Sequence, residues 1–174
     1  LGGGKIFIDG TLNSITAWML HPCRDAQQGL PTGKVVTPPD EICRALEFTR
    51  SLSTGLAAHA IGDAAVRAAL DAYEAVHGAA LGRRGGSFLA ASPNDPLNPA
   101  FRIEHAEVID AHDTPRFARL GVLASIQPCH LLADIEALHR YIPHRLDRVF
   151  PLREMIDAGC LPGDLLWFGS DTPI

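Results

Sequence analysis

The stretch Leu56–Leu70 reads LAAHAIGDAAVRAAL. A short apolar run closes on a histidine, and Gly62-Asp63 separates it from an Ala-rich segment. In that segment Val66, Leu70, Tyr73 and Val76 recur at helical spacing, until Gly78 is expected to stop the helix. A strand, a tight turn and a helix form the repeating unit of parallel α/β folds. The histidine is the unusual element. Flanked by apolar residues, His59 needs a hydrogen-bond partner inside the fold or something to bind there.

The same unit recurs on both sides. KIFID (Lys5–Asp9) reads as a strand, followed by a polar loop over Thr11–Thr16. Thr37-Pro38-Pro39-Asp40 opens a helix, with Thr37 as the expected cap and Ile42, Ala45, Leu46 and Leu52 as its apolar face. Asp63 is the expected cap of the next helix. Gly82–Pro99, rich in Gly, Pro, Ser and Asn, reads as a long loop or insertion, because the pattern resumes unchanged after it. FRIEH (Phe101–His105), VLASIQ (Val122–Gln127) and LLWFGSD (Leu165–Asp171) are three more strands. Between them lie a short helix around Pro115–Leu120 and a helical region over Leu131–Ala158 that Pro143 and Pro151 interrupt. Strands alternating with helices predict a parallel sheet covered by helices, in one segment over residues 1–174.

Bulk properties narrow the function. The chain has 174 residues, 47% hydrophobic and 20% charged, which excludes a largely disordered protein. Its net charge is −5 with no Lys/Arg-rich run, so neither a nucleic acid nor a membrane surface is an expected partner. No apolar run approaches the ~20 residues that span a bilayer. Cys23, Cys43, Cys129 and Cys160 lie far apart without a C-x-x-C pair, which fits reduced thiols and a cytoplasmic location. The chain opens at Leu1 rather than Met and closes just after an apolar run, so a piece of a longer protein is expected, whose export signal, if any, would not be visible.

Four strands carry or end on a residue able to bind a metal: Lys5, His59, His105 and Asp171. In a parallel barrel the carboxyl ends of all strands converge on one mouth. Imidazoles and a carboxylate meeting there suit zinc or another divalent ion. Each residue also has an ordinary reading. A strand-end histidine can be a hydrogen-bonded core group, Lys5 can reach out to water, and Asp171 can serve a turn.

Four further motifs and their order give these residues a context. HAIGD (His59–Asp63), RIEHAEVI (Arg102–Ile109), ASIQPCH (Ala124–His130) and GSDTP (Gly169–Pro173) resemble the amidohydrolase superfamily. KIFIDGTLNSITA (Lys5–Ala17) resembles the family 3 branch that includes N-substituted formamide deformylase. The resemblance implies a partial (β/α)8 TIM barrel, about strands four to eight. It implies one or two zinc or other divalent ions held by Lys5, His59, His105 and Asp171. Lys5 would carry a CO2-derived carbamate, and Asp171 would also handle the catalytic proton. His130, Gln127 and Asp9 are candidate substrate-binding residues.

The implied reaction is hydrolysis of a non-peptide carbon–nitrogen bond, an amide or formamide, by a metal-activated hydroxide acting on a small molecule. The family's first strand carries a His-X-His pair, and this sequence has none. The isolated chain is therefore expected to be inactive. Its partners would be the amino-terminal part of the barrel or further copies of itself. A deaminase on the same barrel is the alternative enzyme, and a non-catalytic binding or assembly module is the alternative outside catalysis.

Overall fold

The structure, a computed structural model, describes residues 3–81 and 101–171, so the loop expected over 82–99 lies outside the described residues. In chain order the elements are β1 (Gly4–Phe7), α1 (Pro39–Ser51), β2 (Leu56–Ala60), α2 (Asp63–Leu81), β3 (Phe101–His105) and α3 (Thr114–Leu120). They continue with β4 (Leu123–Ile126), α4 (Leu131–Tyr141), α5 (Leu152–Asp157) and β5 (Leu166–Phe168). Short 3-10 turns at Pro128–His130 and Pro143–Arg148 flank α4. All five expected strands form.

They make one parallel sheet in the order β1-β2-β3-β4-β5. Every strand pairs with its predecessor in sequence, as in a sector of a (β/α)8 barrel. A doubly wound sheet would instead reverse its order at a switch point. The outer edges of β1 and β5 have no partner strand among the described residues.

The two faces of the sheet differ. Ile8, Ala58, Ala60, Phe101, Ile103, Ala124, Ile126 and Leu166 are buried in one core with Leu46, Val66, Leu70, Tyr73, Phe117 and Met155 of the helices. The other face carries a cross-strand row, Phe7, His59, Glu104, Ser125 and Trp167, joined by register. One row below it run Lys5, Ala57, Arg102 and Leu123. Phe7 and Trp167 are 53% and 44% exposed on this second face. Polar residues on it match a barrel interior that leads up to a site.

Helix ends depart from expectation in three places. Thr37 does not cap α1; its hydroxyl donates to the Phe7 carbonyl at 2.6 Å, and Pro38 occupies the cap. Asp63 does not cap α2 either, because its carboxylate accepts from the Leu20 N–H at 2.8 Å and pairs with Arg145. The Trp18 carbonyl replaces it, accepting from the N–H groups of Ala64 and Ala65 at 3.1 and 3.3 Å. Gly78 does not stop α2, which runs on to Leu81. A helical glycine costs only about 1 kcal/mol relative to alanine, less than the burial of Val66, Leu70 and Tyr73 returns.

No helix among the described residues is long and apolar enough to cross a membrane. All four cysteines are free thiols.

Candidate metal centre

The site is built at the carboxyl ends of β1 to β5, from the strand ends upward. Asp9, two residues past β1, is 2% exposed, and backbone donors engage both of its oxygens. Oδ1 accepts from Ile61 N at 3.1 Å, while Oδ2 accepts from Trp18 N at 2.8 Å and Gly62 N at 2.9 Å. Burial pushes its pKa up to about 7, opposed by these three N–H groups. Asp9 thus ties the β1 loop to the β2–α2 turn. Gly62 is required for closeness rather than for a special φ: a Cβ there would lie 2.0 Å from the Trp18 carbonyl oxygen.

His59, buried at the end of β2, has its Nε2 3.0 Å from the Gly10 carbonyl oxygen. A carbonyl can only accept, so Nε2 carries the hydrogen and Nδ1 keeps its lone pair. This is the arrangement in which a neighbouring backbone group sets the tautomer of a ligating imidazole.

His105 reaches the site by a backbone turn. Strand alternation would send it to the helix side with Phe101 and Ile103 and turn Glu104 inward. Instead His105 and Ala106 adopt left-handed φ values of 72° and 44°. The His105 ring then lies edge-on to His59, with centroids 4.5 Å apart. Burial, followed by the facing His59, lowers the His105 pKa to about 4; burial also lowers that of His59. Both rings are therefore neutral at pH 7, the form that binds metals.

The remaining members arrive on connections. His130, at the junction of the 3-10 turn and α4, stacks on His105 at 5.4 Å, and its Nε2 lies 4.0 Å from Asp171 Oδ2. One donor atom from each of His105, His130 and Asp171 falls within 4.8 Å of the others. His105 Nδ1 and His130 Nε2 are buried without a hydrogen-bond partner. Unsatisfied nitrogens on two stacked imidazoles, one of them 4.0 Å from a carboxylate oxygen, are what a divalent ion would satisfy, so this donor set fits a metal.

Lys5 sits apart from that trio, exposed one row below His59, with Nζ 5.5 Å from the Phe7 ring centroid. Its charge bears on His59, Glu104 and His105. Gln127 is buried past β4, donating from Nε2 to the Ser125 carbonyl at 3.1 Å and leaving Oε1 buried and unpartnered.

Two acids went unnoticed in the sequence. Glu104 shares the row of His59 and pairs with Arg102; the alternation within FRIEH was the signal for it. Glu107 is fully buried with both carboxylate oxygens unpartnered, and burial, with a smaller contribution from Asp134, raises its pKa to about 8. No spacing in the sequence marks it.

A family model described as "Amidohydrolase family" matches residues 1–174. The chain belongs to the amidohydrolase family, in its family 3 branch. Protein LONG AFTER FAR-RED 3 of Arabidopsis thaliana is 30% identical over 176 residues, which cover 100% of this chain and 27% of that protein. The putative amidohydrolase YtcJ of Bacillus subtilis is 29% identical over 99% of this chain and 28% of its own length. Among solved structures, an uncharacterized metal-dependent hydrolase from Pyrococcus furiosus superposes with a TM-score of 0.75 at 28% identity, over 97% of this chain and 30% of that one. This amidohydrolase chain thus spans between a quarter and a third of the length of the relatives it matches.

Proposed function

We propose that this chain forms part of a metal-dependent hydrolase that cleaves a non-peptide carbon–nitrogen bond, an amide or formamide, in a small molecule. The observation that carries the reading is the convergence of His59, His105, His130 and Asp171 at one end of the parallel sheet, with two buried imidazole nitrogens unsatisfied. His59, His105 and Asp171 would hold the ion, which is zinc in this reading. A second ion would add a carbamate on Lys5. When bound, the metal supplies Lewis acidity that acidifies water and polarises a carbonyl.

The chain's own residues supply the rest. The Gly10 carbonyl fixes the His59 tautomer, so that Nδ1 is the ring's acceptor. Asp171 is 47% exposed at its side chain and beside His130, so its carboxylate can take a proton from water and return it to the leaving nitrogen. Gln127 Oε1 is a free acceptor for a substrate N–H.

Supporting features also bear on partners. The exposed Phe7 and Trp167 and the open outer edges of β1 and β5 fit coverage by further barrel strands or by another copy of the chain. Neither nucleic acid nor membrane is part of this reading, and the location is cytoplasmic.

The test uses purified protein with and without the additional barrel segment, assayed with zinc on simple amides and N-substituted formamides. The expected result is zinc-dependent release of amine only when the barrel is completed. Mass spectrometry in bicarbonate should then show the mass of one CO2 on Lys5. Release of ammonia from a cyclic amidine, with no amidase activity, would favour the deaminase and overturn the proposal. A completed barrel without metal or turnover would also overturn it.

A further inference from the structure

His130 reads in the sequence as a substrate contact, and the structure gives it a different setting. Pro128–His130 makes a single 3-10 turn off the end of β4 and runs directly into α4. The ring is carried back over the strand ends, where it stacks on His105 with an interplanar angle of 23°. His130 Nε2 is buried. It has no hydrogen-bond partner and lies 4.0 Å from Asp171 Oδ2. His105 Nδ1 is orphaned in the same way. A buried polar group left unsatisfied is costly, and unpartnered nitrogens on two stacked rings call for a partner.

Resting on the metal-centre reading above, we propose that His130 is itself a metal ligand. With His105 and Asp171 it forms a three-donor site for one borderline divalent ion such as zinc. Each donor comes from a different strand end: His105 closes β3, His130 follows β4, and Asp171 follows β5. The set therefore needs nothing from outside the described residues.

In a tetrahedral site with bonds of roughly 2.0–2.1 Å, donor atoms stand about 3.3 Å apart. The separation of 4.0 Å between His130 and Asp171 must therefore close by somewhat under one ångström. Asp171 can make that adjustment, since its side chain is 47% exposed. His130 is held more firmly. One helical turn further on, Asp134 accepts a hydrogen bond from Asn13 Nδ2, which clasps the start of α4 to the loop after β1. His59 stands beside this set, edge-on to His105, with Nε2 committed to Gly10.

The test is titration of the 174-residue chain with cobalt(II) as a zinc surrogate. The visible absorption reads the coordination, and calorimetry gives affinity and stoichiometry. The expected result is one ion per chain. His130→Gln and His105→Gln should each weaken binding by at least about 100-fold, more than loss of a hydrogen-bond partner behind a ligand would cause. The exposed His112→Gln should bind as the unaltered chain does. Circular dichroism checks that each variant is folded. Should His130→Gln not fold, the 15N shift of His130 Nε2 on adding zinc to the unaltered chain reads the same contact directly.

If His130→Gln binds as tightly as the unaltered chain while His105→Gln does not, His130 is no ligand and the metal-centre reading survives. A His130 Nε2 unmoved by bound zinc would have the same meaning. If the unaltered chain takes no ion, the three-donor site is overturned, and the metal-centre reading is left to its own test on the completed barrel.

Discussion

His59 donates from Nε2 to the Gly10 carbonyl at 3.0 Å, so the ring belongs to the loop after β1 on one side and to the site on the other. Nitrogen-15 spectra at pH 7 should show His59 as the neutral Nε2–H tautomer, with Nδ1 unprotonated. Adding zinc should then move the Nδ1 resonance much more than Nε2. Observation of the Nδ1–H tautomer would contradict the assigned role of Gly10.

Gly62 lies beneath the Trp18 carbonyl, where any side chain would strike backbone rather than a movable group. Gly62→Ala should cost at least about 2 kcal/mol of unfolding free energy in urea, from overpacking and loss of the α2 cap. A cost below about 0.5 kcal/mol would show that the Trp18 segment moves away freely.

Arg145 holds the segment after α4 to the rest of the molecule through Asp63 and Asp110. Asp63 is fully buried, so Arg145→Met leaves a buried carboxylate without its cation. The expected loss is about 3 kcal/mol in denaturant unfolding.

Asp110 gives the same network a pH signature. Burial works against its ionisation, but hydrogen bonds from His112 and Arg145 and the Arg67 charge outweigh that and hold its pKa well below the carboxylate range. A depressed folded pKa contributes stability that is complete above the unfolded value of about 3.9 and is lost as pH falls toward the folded one. The stability gap between the unaltered chain and Asp110→Asn should be constant from pH 5 to 7, taking about 5 as safely above that unfolded value, and should shrink below about pH 4. A gap that stays constant down to about pH 2 would rule out the linkage.

Glu107 predicts the opposite slope. Its folded pKa is raised from 4.5 to about 8 by burial, with a smaller push from Asp134, so the native state holds a proton that the unfolded chain releases. Stability should therefore fall as pH rises from 4.5 toward 8. Glu107→Gln should remove that slope and leave the chain more stable at pH 8 by a margin that disappears near pH 4. Equal slopes in the two proteins would show that the carboxylate finds a partner at high pH.

The order of elements was legible from local chemistry. Apolar runs such as LAAH and FRIEH, separated by helical spacing and punctuated by Gly and Pro, lead to five parallel strands because backbone pairing and burial depend on short-range pattern. The motifs around His59, His105 and Asp171 also pointed to one end of the sheet, since in a parallel sheet every strand-to-helix turn lies on the same side.

What the tertiary structure alone decided was which atoms meet. Alternation assigns His105 to the wrong face, and only the left-handed turn at His105 and Ala106 carries it to His59. Capping rules assign Asp63 to α2, yet the fold gives that work to the Trp18 carbonyl and uses Asp63 to hold Leu20 and Arg145. Periodicity could not find the buried, unpartnered Glu107 or place His130 against Asp171, because both depend on how connections far apart in sequence close over the sheet. Local pattern determines which segments become strands and helices, through interactions among near neighbours in the chain. The site depends on distances between residues far apart in sequence, and those exist only after the connections have packed.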